Sequence, residues 1–150
     1  MTTWSEFVAT APDFAQRVRE LFTGHKHHTM ATLRKDGSPR ISGTEIEFAE
    51  DGLTLGMMSG ALRAADLRRD LRVALHSCTA DPDEHSTARR GDAKISGTVY
   101  EADKQAGPPD SHRFLVDLSE VAITRVGTLP DHLVIETWHP SHGVRWIERR

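Results

Sequence analysis

The chain has 150 residues, 37% hydrophobic and 27% charged, which fits one soluble globular domain burying about two-thirds of its unfolded surface. A formal charge of -3 lacks the basic footprint of a nucleic-acid-binding domain, and no apolar stretch approaches the roughly 18 residues of a membrane span. The lone Cys78 excludes an internal disulfide, and the first residues show no basic segment leading into an apolar run, so a cytoplasmic protein is expected.

Thr3 and Glu6 have the spacing of a capping box, and Pro12 stands where the first position of a helix tolerates proline. Phe14, Val18, Leu21 and Phe22 then recur on one helical face, with Gly24 placed for a left-handed C-cap. After His25 the period changes to two. His28–Arg34 and Pro39–Phe48 flank Asp36-Gly37, a hairpin turn, and Asp51-Gly52 repeats the device before Leu53, Leu55 and Met57. Ser59-Gly60 opens a second helix with Ala64, Leu67 and Leu71 on one face. Strands follow at Val73–Cys78, Ala93–Tyr100, Leu115–Val126, His132–Trp138 and the final Arg145 segment, with the polar run Asp81–Asp92 expected as a loop. Antiparallel strands with one inserted helix and helices at the edge imply a β-barrel with helical decoration, in a single domain over residues 1–150.

Chemistry-bearing residues gather in three places. Arg63 falls in the first turn of the inserted helix, where backbone N–H groups favour an anion. Arg68, Arg69 and Arg72 interleave with Asp66 and Asp70 at helical spacing and read as a solvated charged face. In the last strand Arg145, Ile147 and Arg149 alternate with Val144 and Trp146, so two guanidiniums share one face near Trp138. Nine histidines show neither zinc-motif spacing, so no metal site is expected, and His25, His27, His28, His139 and His142 read as exposed loop residues.

Three segments, in this order, resemble the pyridoxamine 5′-phosphate oxidase-like family of split β-barrel flavin and deazaflavin oxidoreductases. Thr29–Arg40 is similar to its first hairpin, Met58–Asp70 to its phosphate-binding turn and helix, and Ile135–Trp138 with the following arginine strand to its closing hairpin. The resemblance implies a mainly β (α+β) fold: a six- to seven-stranded antiparallel split barrel with an N-terminal helix and a helix inserted between strands. It also implies a homodimer with FMN, a deazaflavin coenzyme, FAD or haem at the subunit interface. Carried onto this chain, Ser59, Gly60 and Arg63 would hold phosphate, and Arg145 and Arg149 phosphate or the ring's carbonyl side. Trp138 would pack on the ring edge, while Arg40 and Thr44 belong to hairpin strands that contact the flavin.

The chain departs from the family pattern at Ala61 and Leu62, where Ser and Arg are frequent. It departs again at Ile147, which replaces a His that holds substrate in the family's namesake oxidases. An aliphatic side chain donates no hydrogen bond, so oxidation of pyridoxamine phosphate itself is not expected. The function expected is an oxidoreductase using FMN, or a deazaflavin in its place, on a small organic substrate. The alternative is a non-catalytic cofactor- or haem-binding barrel.

Overall fold

The N-terminal helices form where the sequence places them. Helix α1 (Trp4–Thr10) opens with a capping box: Thr3 Oγ1 accepts the Glu6 N–H at 3.2 Å, and Glu6 Oε2 accepts the Thr3 N–H at 2.7 Å. Helix α2 (Pro12–Thr23) begins on Pro12 and buries Phe14, Val18 and Phe22. Gly24 does not take the left-handed conformation. Its φ of -65° and ψ of -21° are right-handed, and its N–H continues the helical bonding to the Glu20 carbonyl. A glycine at a helix end permits a left-handed cap without requiring one.

The computed structural model describes residues 1–79, 91–103, 107–128 and 130–150. Nine strands form one antiparallel sheet: β1 (His28–Leu33), β2 (Pro39–Thr44), β3 (Ile46–Ala49), β4 (Gly52–Met57), β5 (Arg72–His76), β6 (Asp92–Glu101), β7 (His112–Val126), β8 (Leu133–His139) and β9 (Gly143–Arg149). The path runs β2-β1-β5-β6-β7-β4-β3, with β8 also on β7 and β9 on β8. The count exceeds six or seven partly because Pro39–Phe48 divides at Glu45 into β2 and β3. Asp92, expected in a loop, already belongs to β6, and most of the rest of that expected loop lies outside the described residues.

Strand β7 splits the sheet. Its first residues pair with β4 and its last six with β8, while β6 follows its other side. The change of partner coincides with a bulge: Ser96 pairs with Glu120 but Gly97 with Leu118, leaving Ser119 as the extra residue. A Cβ on Gly97 would stand 2.0 Å from the Asp117 carbonyl oxygen, so the close approach requires glycine. The sheet bends here without closing by strand pairing, which is the split-barrel architecture.

The two N-terminal helices cover the inner face. Phe7, with no exposed surface, lies 4.6 Å from the Trp138 ring, and Trp4 meets Phe48 edge to face at 4.7 Å. Arg17 fixes α2 to β8 through both oxygens of Glu136, at 2.8 and 2.5 Å, with Arg125 beside them. His28, expected on the surface, is buried: its Nε2 faces the Phe22 and His25 carbonyls and its Nδ1 accepts the Cys78 N–H at 2.9 Å. The ring's two nitrogens thus tie the end of α2 to the chain beyond β5.

Candidate functional site

Helix α3 (Leu62–Arg69) connects β4 to β5, and the site is built around it. It is shorter than the periodicity suggests: Ala64 and Leu67 are buried, but Leu71 lies beyond the helix and is half exposed. Asp66, read from spacing as part of a solvated face, is only 2% exposed. It accepts Thr32 Oγ1 at 2.8 Å and Arg40 Nε at 2.7 Å, with Arg69 at 3.5 Å. Burial alone would push this carboxyl up, but the bonds from Arg40 and Thr32 outweigh it and hold Asp66 below the usual carboxylate range. Asp66 therefore anchors α3 to the first hairpin.

Two hollows flank the helix. One, of about 550 Å³, lies against the β1–β2 turn and is lined by Arg34, Lys35, Arg40 and Arg69 around Asp66. The other, of about 530 Å³, holds Ser59 and Gly60 on one side and Arg68, Glu101 and His112 on the other. Gly60 has a φ of +74°, which turns the chain from β4 into α3, and no atom lies near where its Cβ would stand. The N-cap is Ala61, not Ser59, and it has no side chain to cap with. No side chain caps the first turn of α3, where the Ala64 N–H bonds back to the Ala61 carbonyl at 3.1 Å.

Charge pairing separates the arginines. Arg68 binds Glu101, Arg69 and Arg40 bind Asp66, and Arg72 binds Asp70. Arg63 has no partner among the described residues, and its Nε is buried. Arg145 and Arg149 are likewise without carboxylate partners among the described residues.

The strand register shows which sequence-selected residues meet. Arg145, Ile147 and Arg149 do share one face of β9, opposite Thr137, Ile135 and Leu133. Cross-strand pairs continue the Arg145 row through Thr137, Ala122, Lys94, His76 and Thr29 to Gly43. One chain thus carries these residues on a single outer face but at opposite ends of the strand order. Ser59, Gly60 and Arg40 gather at α3, while Arg145 and Arg149 stand on the far edge strand. Thr44 is buried at the end of β2, its hydroxyl donated to the Glu45 carbonyl at 3.3 Å. Trp138 is 2% exposed, packed into the core with its ring tilted against Phe7, and its indole N–H has no partner among the described residues. Trp146, on the opposite face of β9 from the arginines, is 64% exposed.

Sequence reasoning missed the second hollow's far wall. His112 and Glu101 lie at strand ends with no motif around them, and the β4–β7 and β6–β7 pairings together carry them to α3. Among the described residues no group of three His, Cys, Asp or Glu side chains could hold a metal ion, and no helix is long and apolar enough to cross a membrane.

Neither a family sequence profile nor a curated protein matches this chain. Solved structures do. A pyridoxamine 5′-phosphate oxidase-related, FMN-binding protein from Nostoc punctiforme superposes with a TM-score of 0.66 at 9% identity, over 93% of this chain and 96% of the other. A Clostridium acetobutylicum protein of the pyridoxine phosphate oxidase family, related to general stress protein 26, gives 0.62 at 14% identity over 86% and 96%. HutZ, the haem storage protein of Vibrio cholerae, gives 0.60 at 12% identity over 81% and 98%. The strand order, the bulge in β7 and the helix between β4 and β5 give this chain the split-barrel fold of the pyridoxamine 5′-phosphate oxidase-like proteins.

Proposed function

We propose that the chain binds a flavin-type phosphorylated cofactor, FMN first and a deazaflavin coenzyme second, and uses it as an oxidoreductase on a small organic substrate. The unpartnered guanidinium of Arg63 carries this reading. A buried donor without an acceptor costs about 1–3 kcal/mol, and a phosphate oxygen supplies the acceptor. Ser59 and Gly60 precede Arg63 in the turn into α3 and line a hollow there; Arg63 itself lines neither hollow, and it is the sequence position in the turn that assigns it to the phosphate end of such a cofactor. When bound, the flavin would supply the hydride or electron chemistry. The chain's part is to hold the phosphate at α3 and to keep that helix in register through Asp66.

The arginine strand enters through a second copy. Along the bent sheet six strand steps separate β2 from β9, a path of about 29 Å at the usual spacing of roughly 4.8 Å, which places Arg145 and Arg149 on the edge strand farthest from Arg40 in strand order. In this reading Arg145 and Arg149 serve a partner's site in a homodimer, which also covers Trp146 and Ile147. The fold shared with an FMN-binding protein supports the choice of cofactor.

Titration of the purified protein with FMN and with the deazaflavin, followed by fluorescence, tests the reading. Saturable micromolar binding is expected, weakened at least tenfold in Arg63→Gln with no loss of thermal stability. Absence of binding to either compound would sink it. A haem reading is favoured by one observation: His142 is exposed, with its Nδ1 3.0 Å from the Gly143 carbonyl. Nδ1 donates there, which leaves Nε2 free for iron. HutZ has the same fold, and a Soret band on adding haem would select that reading.

A further inference from the structure

The hollow that holds Ser59 and Gly60 contains an ionisable group that the phosphate turn does not explain. Arg68 donates Nε to Glu101 Oε2 at 3.0 Å and Nη2 to Glu101 Oε1 at 2.6 Å. The same Nη2 lies 2.9 Å from Nδ1 of His112. A guanidinium has only donors, so Nδ1 is the lone-pair nitrogen and the ring proton sits on Nε2. That N–H has no partner among the described residues. The His112 side chain is only 15% exposed and lines the same cavity as Ser59 and Gly60.

Glu101 Oε1, which accepts Arg68 Nη2, is also 3.5 Å from Nδ1, and the hydrogen bond from Arg68 holds Glu101 below the usual carboxylate range, so an ionised carboxylate stands beside Nδ1. Arg68 keeps its Nε bond to the other oxygen when Nδ1 carries a proton. Among the described residues the remaining charged group at the cavity is Asp110, and the neighbouring Arg113 is occupied by Asp51 at 2.9 and 2.7 Å.

We propose that His112 takes up a proton on Nδ1 from solution when a phosphomonoester enters this cavity, Nε2–H then holding a phosphate oxygen while Nδ1, until then the acceptor of Arg68 Nη2, donates its new proton to Glu101. Phosphate affinity is thereby coupled to pH through one imidazole. The proposal rests on the reading of this cavity as the seat of the cofactor phosphate, and it adds the residue that makes binding titrate. The sign follows from proton uptake: binding is tightest where the ring is readily protonated and weakens as pH rises. The ligand's own second ionisation, near about pH 6, lies below that window.

FMN and riboflavin titrations between about pH 7 and 9 test it on the wild-type protein and on His112→Gln, which keeps a donor but takes no proton. The FMN dissociation constant is expected to rise by up to about tenfold per pH unit in the wild type, the limit for one proton. It should stay flat in the variant, and riboflavin should show no such slope in either. An equal slope in His112→Gln overturns the proposal while leaving the cofactor reading intact. Should FMN not bind, or the variant not fold, inorganic phosphate added to wild-type protein decides by NMR. Movement of the His112 ring titration to higher pH supports the proposal, and an unmoved titration overturns it.

Discussion

Replacing Asp66 by Ala tests whether this buried carboxylate fixes α3 to the first hairpin. The substitution leaves the Thr32 hydroxyl, 2% exposed, without its acceptor, which costs about 1–3 kcal/mol. It also strips Arg40 of its counter-charge at 2.7 Å. Breaking a buried pair costs about 3–5 kcal/mol, and the 22% exposure of Arg40 moves this to the low end because water reaches the guanidinium. The two losses overlap, so a total near 3–4 kcal/mol is expected, or roughly 10 °C in melting temperature for a chain of this length. Urea unfolding of Asp66→Ala, Arg40→Met and the double variant measures it, with a coupling energy above about 1 kcal/mol expected. The pH dependence has a definite sign. The folded carboxyl is held below its unfolded value, so its contribution is present above about pH 4 and is lost as pH falls through the folded value. The variant should therefore lose less stability in acid than the wild type. A cost below about 1 kcal/mol, or no coupling to Arg40, would refute the argument.

Two further changes probe the frame that carries the site. Gly97→Ala should cost at least about 2–3 kcal/mol or prevent folding, because the new methyl meets the Asp117 carbonyl at 2.0 Å, and a denaturation midpoint near wild type would show that the bulge yields. Glu136→Gln should lower stability at neutral pH by about 1–2 kcal/mol and flatten its acid dependence, read by thermal melts from about pH 3 to 7. The sign follows from the hydrogen bond with Arg17, which holds Glu136 below the usual range, so its contribution exists above about pH 4 and disappears on acidification.

The fold was legible because its signals are local. Thr3 and Glu6, Asp36-Gly37 and the alternation of Ala93, Ile95 and Val99 each specify geometry within a few residues. Asp66 and His28 were not legible, since nothing in i,i+3 or i,i+4 spacing distinguishes a carboxylate facing water from one facing Thr32 and Arg40. That difference depends on β1 and β2 arriving under α3, a contact 26 and 34 residues distant in the chain. The same limit hid His112, whose partners Arg68 and Glu101 come from different elements. Trp138 stands at the position of a ring-contacting residue by resemblance, yet α1 places Phe7 on it, and a helix docking across a sheet leaves no trace at the tryptophan itself.

The arginines resolve by the same physical argument. Arg40, Arg68, Arg69 and Arg72 end on carboxylates of their own chain, so their charges are spent on holding α3 and its surroundings. Arg63, Arg145 and Arg149 do not; of the four arginines that the resemblance selects, Arg40 alone ends on a carboxylate of its own chain. A guanidinium that folding leaves unpaired gains most from an outside anion, because no internal bond has to break first. Arg63 stands at α3 and the other two at the opposite edge of the sheet. In the proposed reading, one phosphorylated ring system between two copies of the chain would satisfy all three, with Ile147 between the arginines supplying apolar surface and no hydrogen bond. Ala61 and Leu62, where the family pattern has Ser and Arg, supply no side-chain donor to this turn, which keeps Ser59, with Arg63 in the helix that follows.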